Sequence, residues 1–106
     1  YYYFRNIDDR LLFGGGRNLD FQGEETTKFG QTIQIQQKLE ALLETTIIPD
    51  YTFEVDHRWS GIMGVGLKKH SIVKPLGNNT FCGVRLGGMG VALGSIVGKE
   101  LANLIE

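Results

Sequence analysis

The spacing of apolar residues changes several times along the chain, and each change predicts an element. Tyr1 to Arg5 and Arg10 to Gly14 are rich in β-formers and flank the polar run Asn6 to Asp9, which predicts a β-hairpin. Gly14 to Lys28 loses periodicity and gathers Gly, Asn, Asp, Glu and Thr, the composition of a loop. From Phe29 to Glu44 the period becomes helical, with Phe29, Ile33, Leu39, Leu42 and Leu43 on one stripe. Thr26 or Thr27 caps this helix, and Pro49 bars its continuation. Phe53, Val55, His57 and Trp59 then alternate with Glu54, Asp56, Arg58 and Ser60, the period of a half-covered strand that Gly61 breaks. Gly64 to His70 is a loop. Ser71 to Leu76 and Thr80 to Leu86 form the final strands, joined by Gly77-Asn78-Asn79. Pro75 sits near a strand end, where its missing N–H does least harm.

The last quarter organises the rest. Phe81 to Leu86 meets three glycines in four positions, Gly87, Gly88 and Gly90, and then a helix-spaced segment. A turn without side chains lets another molecule approach the backbone closely. The first N–H groups of the helix behind it have no internal partner and carry the positive end of its dipole. The junction therefore suits an anion or an electron-rich ring edge. Within that helix Gly90, Gly94, Gly98 and Ala102 recur four apart, giving one nearly bare stripe. Each interior glycine costs roughly 1 kcal/mol against alanine, so the stripe predicts close packing against another element. Val91, Ile96, Val97, Leu101, Leu104 and Ile105 supply apolar faces, and so little polar surface implies cover on more than one side.

These elements predict an α+β protein, with a mostly antiparallel or mixed sheet and two main helices. Composition narrows its chemistry. With 106 residues, 42% of them hydrophobic, about one domain with a modest core is expected. A net charge of −1 removes the broad electrostatic case for nucleic acid or an anionic membrane as partner. The 15 glycines collect at turns and in the last helix, so they mark geometry and not disorder. The single cysteine, Cys82, excludes an internal disulfide and reads as a small buried strand residue in a reducing, cytoplasmic protein. No run approaches the roughly 20 apolar residues that span a bilayer.

Other candidate chemistry is weak. Gly14-Gly15-Gly16-Arg17 lacks the P-loop lysine and hydroxyl and reads as a sharp exit from a strand. Gly94 to Lys99 is one residue short of that motif and lies within a helix. Asp56 and His57 are strand neighbours that point to opposite faces, so Asp56 cannot orient His57 as a base. Two histidines and one cysteine at unrelated spacings make no metal site. The aromatic start covers a sheet face, and Lys68-Lys69-His70 is a solvated basic cluster.

Three stretches together resemble a family. Arg10-Leu11-Leu12-Phe13-Gly14-Gly15-Gly16, Trp59-Ser60-Gly61 and Gly87-Gly88-Met89-Gly90-Val91-Ala92-Leu93, in that order, resemble the FAD-dependent oxidoreductases of the D-amino-acid oxidase and glycine oxidase type. Members of that family begin with a dinucleotide-binding βαβ unit carrying G-x-G-x-x-G, and this chain has none. The resemblance implies the C-terminal part of a two-domain flavoprotein, 1–76 being a substrate-domain-like sheet and helix and 77–106 the strand, glycine turn and flavin-facing helix. The opening Tyr1-Tyr2-Tyr3-Phe4, without Met, fits a truncated start. The partners implied are the missing N-terminal FAD-binding domain and a small amine or amino-acid substrate.

By the same resemblance, the intact protein oxidises a C–N bond with hydride transfer to FAD. Gly87, Gly88, Met89, Gly90 and Val91 are the expected flavin contacts. Glycine oxidase-like members carry Trp-x-Gly-x-Arg-Pro, whose arginine holds the substrate carboxylate. Here Met63 stands in that place and Gly64 replaces the proline. Arg85, two residues before the glycine turn, is a substitute cation or the partner of an acidic side chain from the missing domain. On its own the chain is expected to be inert and to hold no FAD. Two other readings compete: a structural or interaction module whose bare helix stripe packs on a partner and makes the chain self-associate, and an autonomous phosphate-ligand binder using the helix start.

Overall fold

In a computed structural model, which describes residues 1–105, the aromatic start pairs as expected. β1 (Tyr2–Ile7) and β2 (Arg10–Gly15) run antiparallel, from Tyr2 opposite Gly15 to Ile7 opposite Arg10. The connection is two residues, and Asp8 takes φ 54°, which a short polar side chain tolerates. Phe13 stacks against Tyr2, with ring centroids 6.0 Å apart, and meets Phe4 edge-on at 6.5 Å. These cross-strand aromatic pairs make one face of the ribbon. At its exit Gly15 and Gly16 have φ 118° and 87°, and the chain turns sharply into a 3-10 turn, Arg17–Leu19.

The first helix is shorter than its apolar stripe predicts. α1 spans Ile33–Leu42 behind Thr32, so the cap is neither Thr26 nor Thr27. The correction has a physical cause: Gly30 sits at φ 128°, outside helical backbone, and leaves Phe29 in the loop with its ring 90% exposed. Thr26 instead accepts the Lys28 N–H, and the Thr32 hydroxyl donates to Glu24 at 2.8 Å. Only Ile35 of this helix is buried. After Leu42 the helix widens into a π-turn, Leu43–Ile47, closed by the Ile48 N–H on the Leu43 carbonyl. There the Thr45 hydroxyl donates to the Ala41 carbonyl at 2.7 Å, competing with the regular backbone bond.

The stretch 53–60 is a second correction. Phe53 and Val55 are half-buried and Glu54 is exposed, as the alternation requires, but His57 and Trp59 are exposed as well, no ladder forms and no strand results. Side chains hold it instead. Arg58 donates through Nε and Nη2 to Glu40 of α1 at 2.9 and 2.7 Å, Asp56 meets Arg10 at 3.4 Å, and the Ser60 hydroxyl donates to the Gly30 carbonyl. Asp56 thus faces an arginine and not His57. All this belongs to one compact unit, Tyr1–Ile62, and a second begins at Met63.

In the second unit β3 (Ile72–Gly77) pairs antiparallel with β4 (Thr80–Val84), which ends two residues before the expected Leu86. Asn78 and Asn79 take φ 50° and 56°, the double positive φ of a two-residue hairpin turn. The register slips between Pro75 and Gly77, where proline withdraws a donor from the ladder. The sheet content is therefore two separate two-stranded ribbons with two α-helices, an α+β arrangement.

α2 (Gly90–Asn103) lies back on its own ribbon. Val97 is buried, Leu93 and Leu101 are half-buried, and all three share a face. A Cβ on Gly83 of β4 would stand 2.6 Å from both the Leu101 Cδ1 and the Val97 Cγ1. The close approach is therefore at Gly83. No atom outside the helix's own backbone lies within 4 Å of where a Cβ of Gly94 or Gly98 would stand, so the stripe is not packed at these two positions. The helix is covered on one side, with Val91 and Ile96 exposed. Cys82 is a free, half-buried thiol on β4. No helix among the described residues is long and apolar enough to cross a membrane.

Two substitutions check this packing. Gly83→Val should lower stability by about 1–3 kcal/mol through overpacking against Val97 and Leu101, read as an earlier urea midpoint at unchanged slope. An unaltered midpoint would mean that α2 does not rest on β4. Asn79→Val should cost about 1–2 kcal/mol at its left-handed backbone, whereas Asn79→Gly should be neutral or stabilising by the same measurement.

Candidate functional site

The junction between β4 and α2 is built by left-handed backbone. Arg85, Gly87 and Gly88 have φ 63°, 59° and 82°, so three of four successive residues turn the chain the same way. Glycine takes this conformation freely, while an arginine there costs about 1–2 kcal/mol. The Met89 N–H donates to the Leu86 carbonyl at 2.9 Å, and the Leu93 N–H donates to the Met89 carbonyl at 2.9 Å, closing the first helical turn. The N–H groups of Gly90, Val91 and Ala92 precede that bond and have no helical acceptor.

Around these donors the surface is bare. Gly87, Gly88 and Met89 are exposed, and no atom lies within 4 Å of where a Cβ of Gly87 would stand. The Val91 side chain projects fully into solvent. Gly88 has one close neighbour, the Met63 sulfur, 3.3 Å from a Cβ placed there. The expected contacts Gly87, Gly88, Met89, Gly90 and Val91 are thus contiguous, and Met63 stands beside them, about half exposed. Ala92 adds a donor that the motif did not single out; the helix boundary itself supplies that signal.

Arg85 is oriented differently. Its Nε donates to the His70 carbonyl at 2.6 Å, and its stem crosses Gly66, where a Cβ would lie 2.9 Å from the Arg85 Cδ. Neither ion pair among the described residues includes it. Its neighbour in the turn, Gly87, donates its N–H to the Gly64 carbonyl at 3.0 Å. The segment from Met63 to His70, which reads as a plain loop, is thereby bound along the glycine turn. Sequence reasoning missed this; Gly64 and Gly66 are its trace.

The first unit has its own concavity, a shallow groove lined by Phe29, Ile33, Gln37, Glu40, Arg58 and Trp59. Its one charged pair is the satisfied Arg58–Glu40 bridge, and it contains no nucleophile paired with a base. Among the described residues no group of three or more His, Cys, Asp or Glu could hold a metal ion. The arrangement with chemical capacity is the glycine turn. It offers three N–H donors without a helical acceptor, the positive end of a 14-residue helix and an open face at Gly87, with the Met63 side chain beside Gly88.

Comparison with known proteins places this geometry in context. The family model described as FAD dependent oxidoreductase matches residues 1–104. No curated protein and no solved structure matches the chain.

Proposed function

The chain belongs to the FAD-dependent oxidoreductase family, and from that premise we propose that it forms the C-terminal part of a flavoenzyme that oxidises a C–N bond of an amine or amino acid. The observation that carries the proposal is the glycine-rich turn before α2 and the unpaired N–H groups behind it, in a chain matched to the family along nearly its whole length. The residues present fit one edge of the cofactor: left-handed glycines keep the approach clear and three donors stand behind them.

When bound, FAD supplies the two-electron acceptor for a hydride leaving the carbon beside the nitrogen. Gly90, Val91 and Ala92 provide fixed N–H donors, and α2 adds the positive end of its dipole. Both are in place before negative charge develops, so they stabilise it without reorganisation. Gly87 and Gly88 allow contact at backbone distance, and Met89 and Val91 supply apolar cover. Met63 beside Gly88 gives an apolar wall where glycine oxidase-like proteins carry a carboxylate-binding arginine, which favours substrates whose anchoring charge is met elsewhere.

The remaining contacts to FAD come, in this proposal, from an N-terminal dinucleotide-binding domain. The open stripe at Gly94 and Gly98 supports a second reading, an interaction module whose α2 packs on a partner or a second copy. Flavin content separates the two.

Gly90→Val is the sharper test, because a Cβ there meets only the Leu86 Cδ1 at 3.5 Å and the backbone is not left-handed. In the full-length protein this variant should stay soluble and folded while losing most of its flavin, measured as the ratio of visible to 280 nm absorbance. Normal flavin content in both Gly90→Val and Gly88→Val would refute the assignment. Residues 1–106 expressed alone should retain no FAD through gel filtration, and stoichiometric retention would overturn the division of the cofactor site.

A further inference from the structure

Arg85 carries an unexplained cost. It holds a left-handed φ of 63° two residues before Gly87 and Gly88, which take the same backbone freely, so its side chain has to return something. Among the described residues that side chain meets no carboxylate. It runs back over the segment 64–70, with Gly66 beneath its Cδ and Nη1 and the His70 carbonyl at 2.6 Å from its Nε, while Gly64 adjoins the Arg85 backbone. Gly66 fits that path because a Cβ would stand 2.9 Å from the Arg85 Cδ. The near end of the same segment is held by the Gly87 N–H on the Gly64 carbonyl. Met63, adjoining that bond, is the neighbour of Gly88.

We propose that Arg85 is a positioning residue: its Nε fastens the far end of the 64–70 segment, and this fixes Met63 and Gly64 against the glycine turn. The segment has no ladder or helix of its own, and its residues are exposed throughout. Among the described residues Arg85 Nε and Gly87 N–H are therefore its two hydrogen-bond anchors, one at each end. The functional consequence rests on the flavin reading above: a released segment would take its wall away from the turn. The latch itself does not rest on that reading.

Side-chain chemistry gives a clean discrimination. The amide nitrogen of glutamine falls at the same position along the side chain as arginine Nε, so Arg85→Gln keeps the donor to His70 and removes the charge. Arg85→Met keeps the stem and removes the donor. A residue gripping a substrate carboxylate needs its charge and would lose function equally in both variants. A latch survives as glutamine and fails as methionine.

Two readouts on the full-length protein decide it. The first is limited trypsinolysis at the exposed Lys68-Lys69 pair, followed by mass spectrometry. Loss of a charge-assisted hydrogen bond should raise the opening equilibrium, and hence cleavage there, about tenfold in Arg85→Met. Arg85→Gln should stay within about threefold of the parent by the same reasoning. The second is the visible band shape of retained flavin, which should shift in Arg85→Met and not in Arg85→Gln. Should Arg85→Met fold poorly, Arg85→Gly removes the latch while relieving the left-handed strain, and it should be cleaved as fast as Arg85→Met was expected to be. Equal cleavage in the parent, Arg85→Met and Arg85→Gly would overturn the latch, as would Arg85→Gln matching Arg85→Met in both readouts. A colourless parent protein with the expected cleavage pattern would refute the flavin reading and leave the latch standing.

Discussion

The second unit depends on a short run of left-handed backbone. Between Arg85 and Gly88 three residues take positive φ, and this sends the chain from β4 back along its own ribbon as α2. The reversal can work only if the helix finds room when it arrives, and Gly83 provides it. One constraint thus sets two things: where Val97 and Leu101 bury their side chains, and where the helix presents its unpaired N–H groups. Packing and candidate chemistry are consequences of the same turn. A side chain at either glycine position would disturb both, but through different physics, strain at the turn and overlap at the strand.

The first unit is held together by other means. It pairs one aromatic hairpin with one helix, buries few side chains, and ties the stretch 53–60 down through Arg58, Asp56 and Ser60. Exposed ion pairs of this kind each add little, typically below about 1 kcal/mol. Two-stranded ribbons are marginal in water, and here Tyr1, Tyr3, Phe4 and Trp59 remain largely exposed.

Sequence made the local features legible and left the long-range ones obscure. Both hairpins follow from β-forming runs around short polar turns, and Asn78-Asn79 specifies its turn through residues that tolerate positive φ. The start of α2 is readable because glycines end and helical spacing begins at Gly90. By contrast, the alternation at Phe53 to Ser60 marks a covered face only at Phe53 and Val55, since His57 and Trp59 are exposed, and it says nothing of whether a neighbouring strand exists. Phe29 fits the helical stripe by spacing, yet Gly30 overrides it through one dihedral angle. The bond from Gly87 to Gly64 joins residues far apart in sequence through backbone atoms, which no side-chain pattern encodes. The glycines at 94 and 98 suggest intimacy with another element, and the structure puts that intimacy at Gly83 instead.

The central claim is that the bare turn before α2 serves a flavin. The most direct test is the visible absorption spectrum of the purified full-length protein before and after denaturation. The account predicts flavin bands, FAD released on unfolding, and bleaching of the bound chromophore by an amine or amino acid without oxygen. A protein that is colourless as purified and remains so after incubation with FAD would contradict it and reduce the turn to a packing device.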